Sequence, residues 1–518
     1  HHRDLHSFPT RRSSDLGRYH PRTGVRGVTT GAERLNLDET TIAETFRSAG
    51  YSTGAFGKWH NGSQHPYHPN ARGFEEFYGF TSGHWGQYFD PELDHNGRLV
   101  RGQGYLTDDL TSRAIDFMRA RKDRPFFCYL PFNTPHSPMQ APERFYRKFA
   151  GFQPQLRNRD PRREDLAMTR AALAMCENID WNVGRVLAAL DESRLARDTV
   201  VLYFSDNGPN SWRWNGGMKG RKSSVDEGGL RVPFLIRWPG RIRPGTRVAE
   251  IGGAIDLLPT LTAMAGVPLL SKKPLDGRNL APLLYGTAKN WPDRMIFSVD
   301  MSRKLVSVAT RRHRLDGEGR LYDLTADPGQ DRDISAARPE VAGRLREAAA
   351  SWRRDVLAAE GPDDRPFPAG HAAATFLPAR DGVPEGGVKR SSPHPNCSYF
   401  TGWTSTAGRI AWDVDIARAG EYEAFIYYAC PAADTGATLE LSFLDARVAA
   451  KIAEPWDPPL IGGADDRAPR TESFVKDFRP LRLGVIALPR GRGTLTLRAL
   501  DIPGGQAAEI RYVSLLRR

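Results

Sequence analysis

The architecture predicted for these 518 residues is an α/β unit with a predominantly parallel sheet flanked by helices, then a small α+β piece and an all-β sandwich of jelly-roll type. Three observations predict it. Short apolar runs rich in β-branched and aromatic residues, at 52–56, 125–131 and 199–204, stop abruptly in Gly, Pro or polar sequence, as buried strands do. Helical patterns separate these runs, which favours parallel pairing. Beyond residue 388, segments such as 420–430, 439–443, 495–497 and 510–515 alternate apolar and polar residues between Gly/Pro turns.

The helical elements follow from local chemistry. Thr41-x-x-Glu44 is a capping box that opens a short helix ending at Gly50. The stretch 105–118 is amphipathic, and Asp108 and Asp109 fall at its start, where the helix dipole favours carboxylates. The stretch 166–190 puts Cys176, Ile179, Val183, Val186, Leu187 and Leu190 on one face and reads as scaffold.

Composition bounds the function classes. At this length two or three domains are expected. With 40% hydrophobic and 26% charged residues the chain is globular, and no apolar run reaches the roughly 18–20 residues of a membrane span. The formal net charge of +12 comes from scattered Lys and Arg rather than a stripe or tail, so it gives no nucleic-acid signature and suits a polyanionic substrate equally well. Cys128, Cys176, Cys397 and Cys430 form no C-x-x-C pair. The first two lie in apolar segments and are expected as buried thiols; the last two are either free or disulfide-bonded.

The chemistry concentrates in 199–240. An apolar strand ends there in Ser205-Asp206-Asn207-Gly208, followed by Lys219, Lys222 and Glu227-Gly228-Gly229-Leu230-Arg231-Val232-Pro233, and a second apolar strand follows at 234–238. Asp206 and Asn207 at a strand's carboxyl end are placed where open α/β sheets bind ligands, and their oxygens suit a hard dication such as Ca²⁺. An Asx turn closed by Gly208 is the other reading of those residues. A lysine projecting beside a metal site makes it a site for an anionic ester. Two further strand ends carry Gly57-Lys58-Trp59-His60 and Asn133-Thr134-Pro135-His136-Ser137-Pro138.

This set resembles the sulfatases of the alkaline phosphatase superfamily: D-N-G, a lysine segment, E-G-G-x-R-V-P, a W-P-G strand end, G-K-W-H and P-H-x-P, in order. The resemblance covers roughly 17–360 and extends through Asp256 and Asp276. It implies that Asp206 and Asn207 hold Ca²⁺, Lys58 and Lys222 clamp the sulfate, and His136 protonates the leaving alcohol. It also implies that His60 positions a formylglycine hydrate or assists breakdown of a sulfated intermediate. Trp212, Arg213 and Trp214, between the metal and lysine elements, are assigned to the sugar from position alone.

Residues 1–16 lack hydrophobic periodicity and read as a translated sequencing adapter, so they are set aside as non-native. Within them Ser7-Phe8-Pro9-Thr10-Arg11 mimics the serine form of the family's nucleophile motif. On this reading the chain enters the pattern after its nucleophile. Formylglycine is then expected on a missing upstream Cys or Ser, an upstream Asp-Asp pair is missing too, and the chain as it stands is expected not to turn over. The expected organisation is a catalytic domain over 17–290, a C-terminal subdomain over 291–360, a linker over 361–387, and a sandwich over 388–518 that either binds carbohydrate or is a structural appendage. The loop-rich stretch 61–103 is expected to form pocket wall.

The activity implied is hydrolysis of a sulfated carbohydrate or other alcohol sulfate, in the periplasm or outside the cell. Two alternatives stand beside it: a phosphodiesterase or phosphonate monoester hydrolase of the same superfamily, and a noncatalytic glycan-binding protein.

Overall fold

The computed structural model describes residues 14–358 and 363–518, so Ser7 lies outside the described residues. Strands β1 (Ser52–Lys58), β2 (Glu76–Phe80), β3 (Glu92–His95), β4 (Arg98–Arg101) and β5 (Phe126–Tyr129) form one sheet in the order β4-β3-β2-β1-β5. The sheet is parallel at its centre, where β1 pairs with β2 and β5, and antiparallel at the β3–β4 edge. Three of these strands come from the stretch read as loop-rich. Their shortness and the intervening His, Gly and Asp residues hid their period from the sequence.

Strands β6 (Val201–Phe204) and β7 (Phe234–Arg237) pair antiparallel as a separate ribbon. Four longer helices flank the strands: α1 (Ile42–Ser48), α2 (Leu106–Ala120), α3 (Leu166–Glu192) and α4 (Leu257–Ala265). The capping box of α1 forms with both hydrogen bonds, Glu44 N to Thr41 Oγ1 and Thr41 N to Glu44 Oε2. Leu106, Leu110, Ala171 and Met175 of α2 and α3 cluster with Phe56, Tyr78 and Phe80 on one face of the sheet. Ile42, Phe46 and Leu258 of α1 and α4 meet Phe127 on the other.

Between the facing edges of β5 and β6 lies a cavity of about 1240 Å³. Its walls are α2 and α3 on one side (Met118, Ile179, Val186) and α1 and α4 on the other (Phe46, Leu261, Met264), so it occupies the sheet layer itself. Neither edge has another strand partner among the described residues. This corrects the expectation for two cysteines. Cys128 is only partly buried and Cys176 is exposed, because the apolar face of α3 that carries Cys176 lines this cavity.

Strands β8 (Ile296–Asp300), β9 (Leu305–Ala309), β10 (His313–Leu315) and β11 (Leu321–Asp323) form an antiparallel sheet. Helix α5 (Pro339–Val356) covers it: Ala342 and Leu345 pack on Val308, Leu315 and Leu321, and the Trp352 ring stacks on Phe297 at 5.5 Å.

The C-terminal part is a sandwich of two six-stranded sheets. In Arg409–Ile416 the inward residues Ile410, Trp412, Val414 and Ile416 are fully buried, alternating with more open positions, the period-2 pattern of a strand with one face on a core. The expected linker is corrected here. Phe367–Ala369, Ala374–Pro378 and Val383–Glu385 are strands of the two sheets. Their Gly and Pro residues punctuate short strands rather than soften a tether.

The sandwich is bonded to the α/β unit. Arg34 donates to the carbonyls of Arg365 and Pro366, Gln64 to Phe376 O at 3.0 Å and Asp381 Oδ2 at 3.2 Å, and Gln140 to Gly462 O at 2.7 Å. Arg380, only 1% exposed, pairs with Glu33 at 3.4 Å and Asp381 at 3.3 Å. Cys397 and Cys430 are free thiols: Cys397 sits at this interface with its Sγ on His84 O, while Cys430 lies against Ala507 O. Among the described residues no helix is long and apolar enough to cross a membrane.

Candidate active site

Close backbone contact at two glycines builds the site. Gly57, at φ +136°, lies where a Cβ would come within 2.2 Å of Pro131 O, so β1 and the end of β5 approach as only glycine allows. Lys58 N then donates to Pro131 O at 2.8 Å, fixing the buried Lys58 against the segment that leads to His136. Trp59 anchors the other side, buried with its Nε1 on Tyr67 O at 3.0 Å.

At Gly208 a Cβ would lie 1.9 Å from Gly228 O, and Gly208 N donates to Gly229 O at 2.9 Å. The Asp-Asn-Gly turn therefore rests directly on the Glu-Gly-Gly backbone. Glu227 is buried in a pair with Arg314 of β10, Nε to Oε2 at 2.8 Å, which ties that motif to the small sheet. Gly208→Ala should destabilise the fold by at least the roughly 1–3 kcal/mol of an overpacked core position and disorder the 205–210 turn. Chemical denaturation with NMR of the turn reports both; a variant as stable as the parent with an unmoved turn contradicts this packing.

The structure brings seven of the predicted residues to one cavity, and Lys58, His136, Asp206, Asn207 and Lys222 are those that form its polar end. They come from three separate strand ends and the turn after β6. Lys219 is diverted, its Nζ held by Asp316 at 3.0 Å and Asp226 at 3.3 Å, so it serves as an anchor to the small sheet. His60 is buried in a left-handed backbone conformation (φ 72°) with Nε2 on Val28 O at 2.7 Å, and it is not a lining residue. Arg213 and Trp214 line the cavity, but Trp212 does not: the guanidinium of Arg163 lies over its ring at 3.8 Å and that of Arg221 at 5.2 Å.

The Asp206-Asn207 pair has donors to spare for a metal. Asn207 Nδ2 is spent on Gly208 O at 2.8 Å, while Asn207 Oδ1 is buried without a hydrogen-bond partner among the described residues. A carboxylate beside an uncommitted carbonyl oxygen fits part of a Ca²⁺ shell, which takes 6–8 oxygens. No cluster of three or more His, Cys, Asp or Glu suited to a metal occurs among the described residues. Asp108 and Asp109 are not metal ligands but first-turn residues of α2, bonded by Asn178 and Asn182, and by Tyr78, respectively.

The histidines are held neutral. His136 Nδ1 is on Ser137 O at 2.8 Å, and burial first, then Lys222, His84 and Lys58, hold its pKa well below the usual value. Sequence reading gave no role to His84, whose ring stacks on His136 at 5.1 Å and 7°. Burial, then Lys58 and Lys222, push His84 down to about 3. Burial and His68 push His65 down to about 4. Groups depressed below their unfolded value near 6.5 stabilise the fold above that pH and lose this contribution as pH falls. Asp381 works the other way. Burial lifts it to about 6, so its contribution is lost as pH rises from about 4 through about 6. Glu92 and Asp465 are raised like Asp381, but His313, His371, Asp316 and Asp363 are lowered and act with the three histidines, so the unfolding midpoint should drop between pH 7 and pH 4. A thermal series over that range measures it, and a flat profile contradicts the buried neutral histidines.

A parallel-centred α/β sheet whose strand ends gather two lysines, a neutral histidine and an Asp-Asn pair around one cavity defines a site for an anionic ester. The chain belongs to the sulfatase family: the Sulfatase family model matches residues 6–267, and that of the N-sulphoglucosamine sulphohydrolase C-terminal region matches 221–348. The match starts at residue 6 rather than 17 and so takes in Ser7, which the expected boundary excluded. The chain is 30% identical over 318 residues to the uncharacterized sulfatase YdeN of Escherichia coli (strain K12), covering 56% of this chain and 54% of that protein. It is 28% identical over 459 residues to arylsulfatase A of Homo sapiens, covering 75% and 84%. The chain thus spans about half the length of the first of these relatives. The crystal structure of Ps i-CgsB in complex with k-i-k-neocarrahexaose is similar with a TM-score of 0.61 and 28% identity, over 67% of this chain and 82% of that one.

Proposed function

We propose that the chain's site takes a sulfate ester of a carbohydrate or other alcohol, and that its chemistry is sulfuric ester hydrolysis in the periplasm or outside the cell. The observation that carries this is the convergence of Lys58, Lys222, His136, Asp206 and Asn207 on one cavity. Attack at sulfur builds negative charge on the nonbridging and leaving oxygens, which fixed ammonium groups in a partly enclosed site stabilise. Lys58 and Lys222 supply those groups. Asp206 and Asn207 are the chain's own donors for Ca²⁺, whose part when bound is to polarise the sulfuryl oxygens. Formylglycine, which the family resemblance implies, would supply the nucleophile when present.

His136 protonates the leaving alcohol, but only once the ester is bound. In the free site burial and the two lysines keep the ring neutral, and donation of Nδ1–H to Ser137 O leaves the lone pair at Nε2. The negative charge of the arriving ester offsets the lysines and raises the proton affinity of that nitrogen. Arg213 and Trp214, at the cavity wall, contact the alcohol side of the substrate. The similarity to Ps i-CgsB, solved in complex with k-i-k-neocarrahexaose, supports a sugar as that alcohol.

Paired binding and release assays with sulfate, phosphate and phosphonate esters of one alcohol test the reading. Preference for the sulfate ester supports it. Preference for phosphodiester or phosphonate assigns the site to the alternative hydrolases. Glycan binding that ignores loss of Lys58 and Lys222 makes the chain a noncatalytic sugar-binding protein.

A further inference from the structure

The sandwich reaches the site through Asn396. This residue lies between the 367–390 strands and the body of the sandwich, and it is buried against the α/β unit. Its Oδ1 accepts from Gly83 N at 3.4 Å and from Thr29 Oγ1 at 3.5 Å. Those donors fix the amide orientation, because the flipped amide would point its NH₂ at a backbone N–H. Asn396 Nδ2 therefore faces His84 Nδ1, 3.1 Å away, and donates to it. A neutral imidazole that accepts at Nδ1 carries its proton on Nε2.

His84 Nε2 is buried and has no hydrogen-bond partner among the described residues, on a residue only 7% exposed. A buried N–H without an acceptor is destabilising, so its persistence here calls for a partner from outside. His84 is not itself a lining residue of the cavity, but its ring is stacked directly behind that of His136, which is, and the charges of Lys58 and Lys222 act on it. An anionic oxygen held by those lysines is the acceptor that suits it.

We propose that His84 is a further ligand-contacting residue of the anion site, donating Nε2–H to an oxygen of the sulfate group, and that Asn396 is a positioning residue that fixes the required tautomer. The proposal deepens the sulfate-ester reading and rests on it. It also makes the sandwich a part of the site rather than an appendage.

The test is titration of the full chain with inorganic sulfate, read as affinity and as the ¹⁵N shifts of the His84 ring. In the parent chain His84 is expected with Nε2 protonated and Nδ1 unprotonated, and the Nε2 signal moves as sulfate binds. Asn396→Asp is isosteric but accepts rather than donates. It should move the proton to Nδ1 and weaken sulfate binding about tenfold or more, the worth of a hydrogen bond to a charged group. His84→Gln, whose amide N–H₂ extends toward the Nε2 position, should retain more affinity than His84→Asn. Lys58→Met is the control. If it abolishes binding while Asn396→Asp switches the tautomer and leaves affinity unchanged, the sulfate reading stands and the role of His84 is overturned. If sulfate binds equally well without Lys58, or does not bind the parent chain, the sulfate reading itself falls and takes this inference with it.

Discussion

Arg380→Met is expected to cost about 3–5 kcal/mol of stability, the range for breaking a buried ion pair from one side. Arg380 sits between Glu33 of the α/β unit and Asp381 of the sandwich, with side-chain exposures of 1%, 2% and 1%. It also donates to Ser82 Oγ at 3.0 Å and to Ser63 Oγ. Removing the guanidinium leaves two carboxyls facing each other in a region shut off from water. Burial already lifts Asp381 to about 6 against the pull of Arg380. Without that cation its proton affinity rises further, so the variant should lose more stability at pH 8 than at pH 5.5. Urea unfolding at the two pH values measures this. The variant Glu33→Gln with Arg380→Met should recover part of the loss, since it removes one of the stranded charges. A loss under 1 kcal/mol, or one independent of pH, contradicts a buried charge cluster at the junction of the two parts.

The second large effect is expected at the lysines. Lys58→Met and Lys222→Met should each weaken inorganic sulfate at least about tenfold, since each removes a charge-assisted contact worth roughly 1.5–3 kcal/mol. Lys58 is buried and Lys222 lines the same cavity, so their ammonium groups act through little water. Lys219→Met separates charge from place. It lies three residues before Lys222, yet it is committed to Asp316 and Asp226, so its loss should lower stability and leave sulfate affinity within about twofold. Equal effects from all three lysines would make anion binding a property of net charge rather than of the site.

Those two lysines illustrate what the sequence makes legible. Strand ends such as Gly57-Lys58-Trp59-His60 and Asp206-Asn207-Gly208 are readable because an apolar strand stops at residues that a buried strand has no use for. The glycines are legible for a further reason, the backbone contacts at Pro131 O and Gly228 O that exclude a Cβ. The family resemblance singles out Lys222 over Lys219, but the physical reason, Asp316 about a hundred residues from Lys219, has no local signal. His84 stood in a stretch without period among other His, Gly and Asp residues. Asn396, which orients it, lies in another part of the chain and has no local signal. The segment read as a linker failed for a simpler reason. Gly and Pro that punctuate short strands have the same composition as a tether, and only the burial of Arg380 and Asp381 tells the two apart.

A crystal structure of the full chain grown or soaked with inorganic sulfate should hold a sulfate at the polar end of the cavity, bonded to Lys58 Nζ and Lys222 Nζ. Sulfate bound only on the basic surface, with that end of the cavity unliganded at saturating concentration and the fold intact, would contradict that placement.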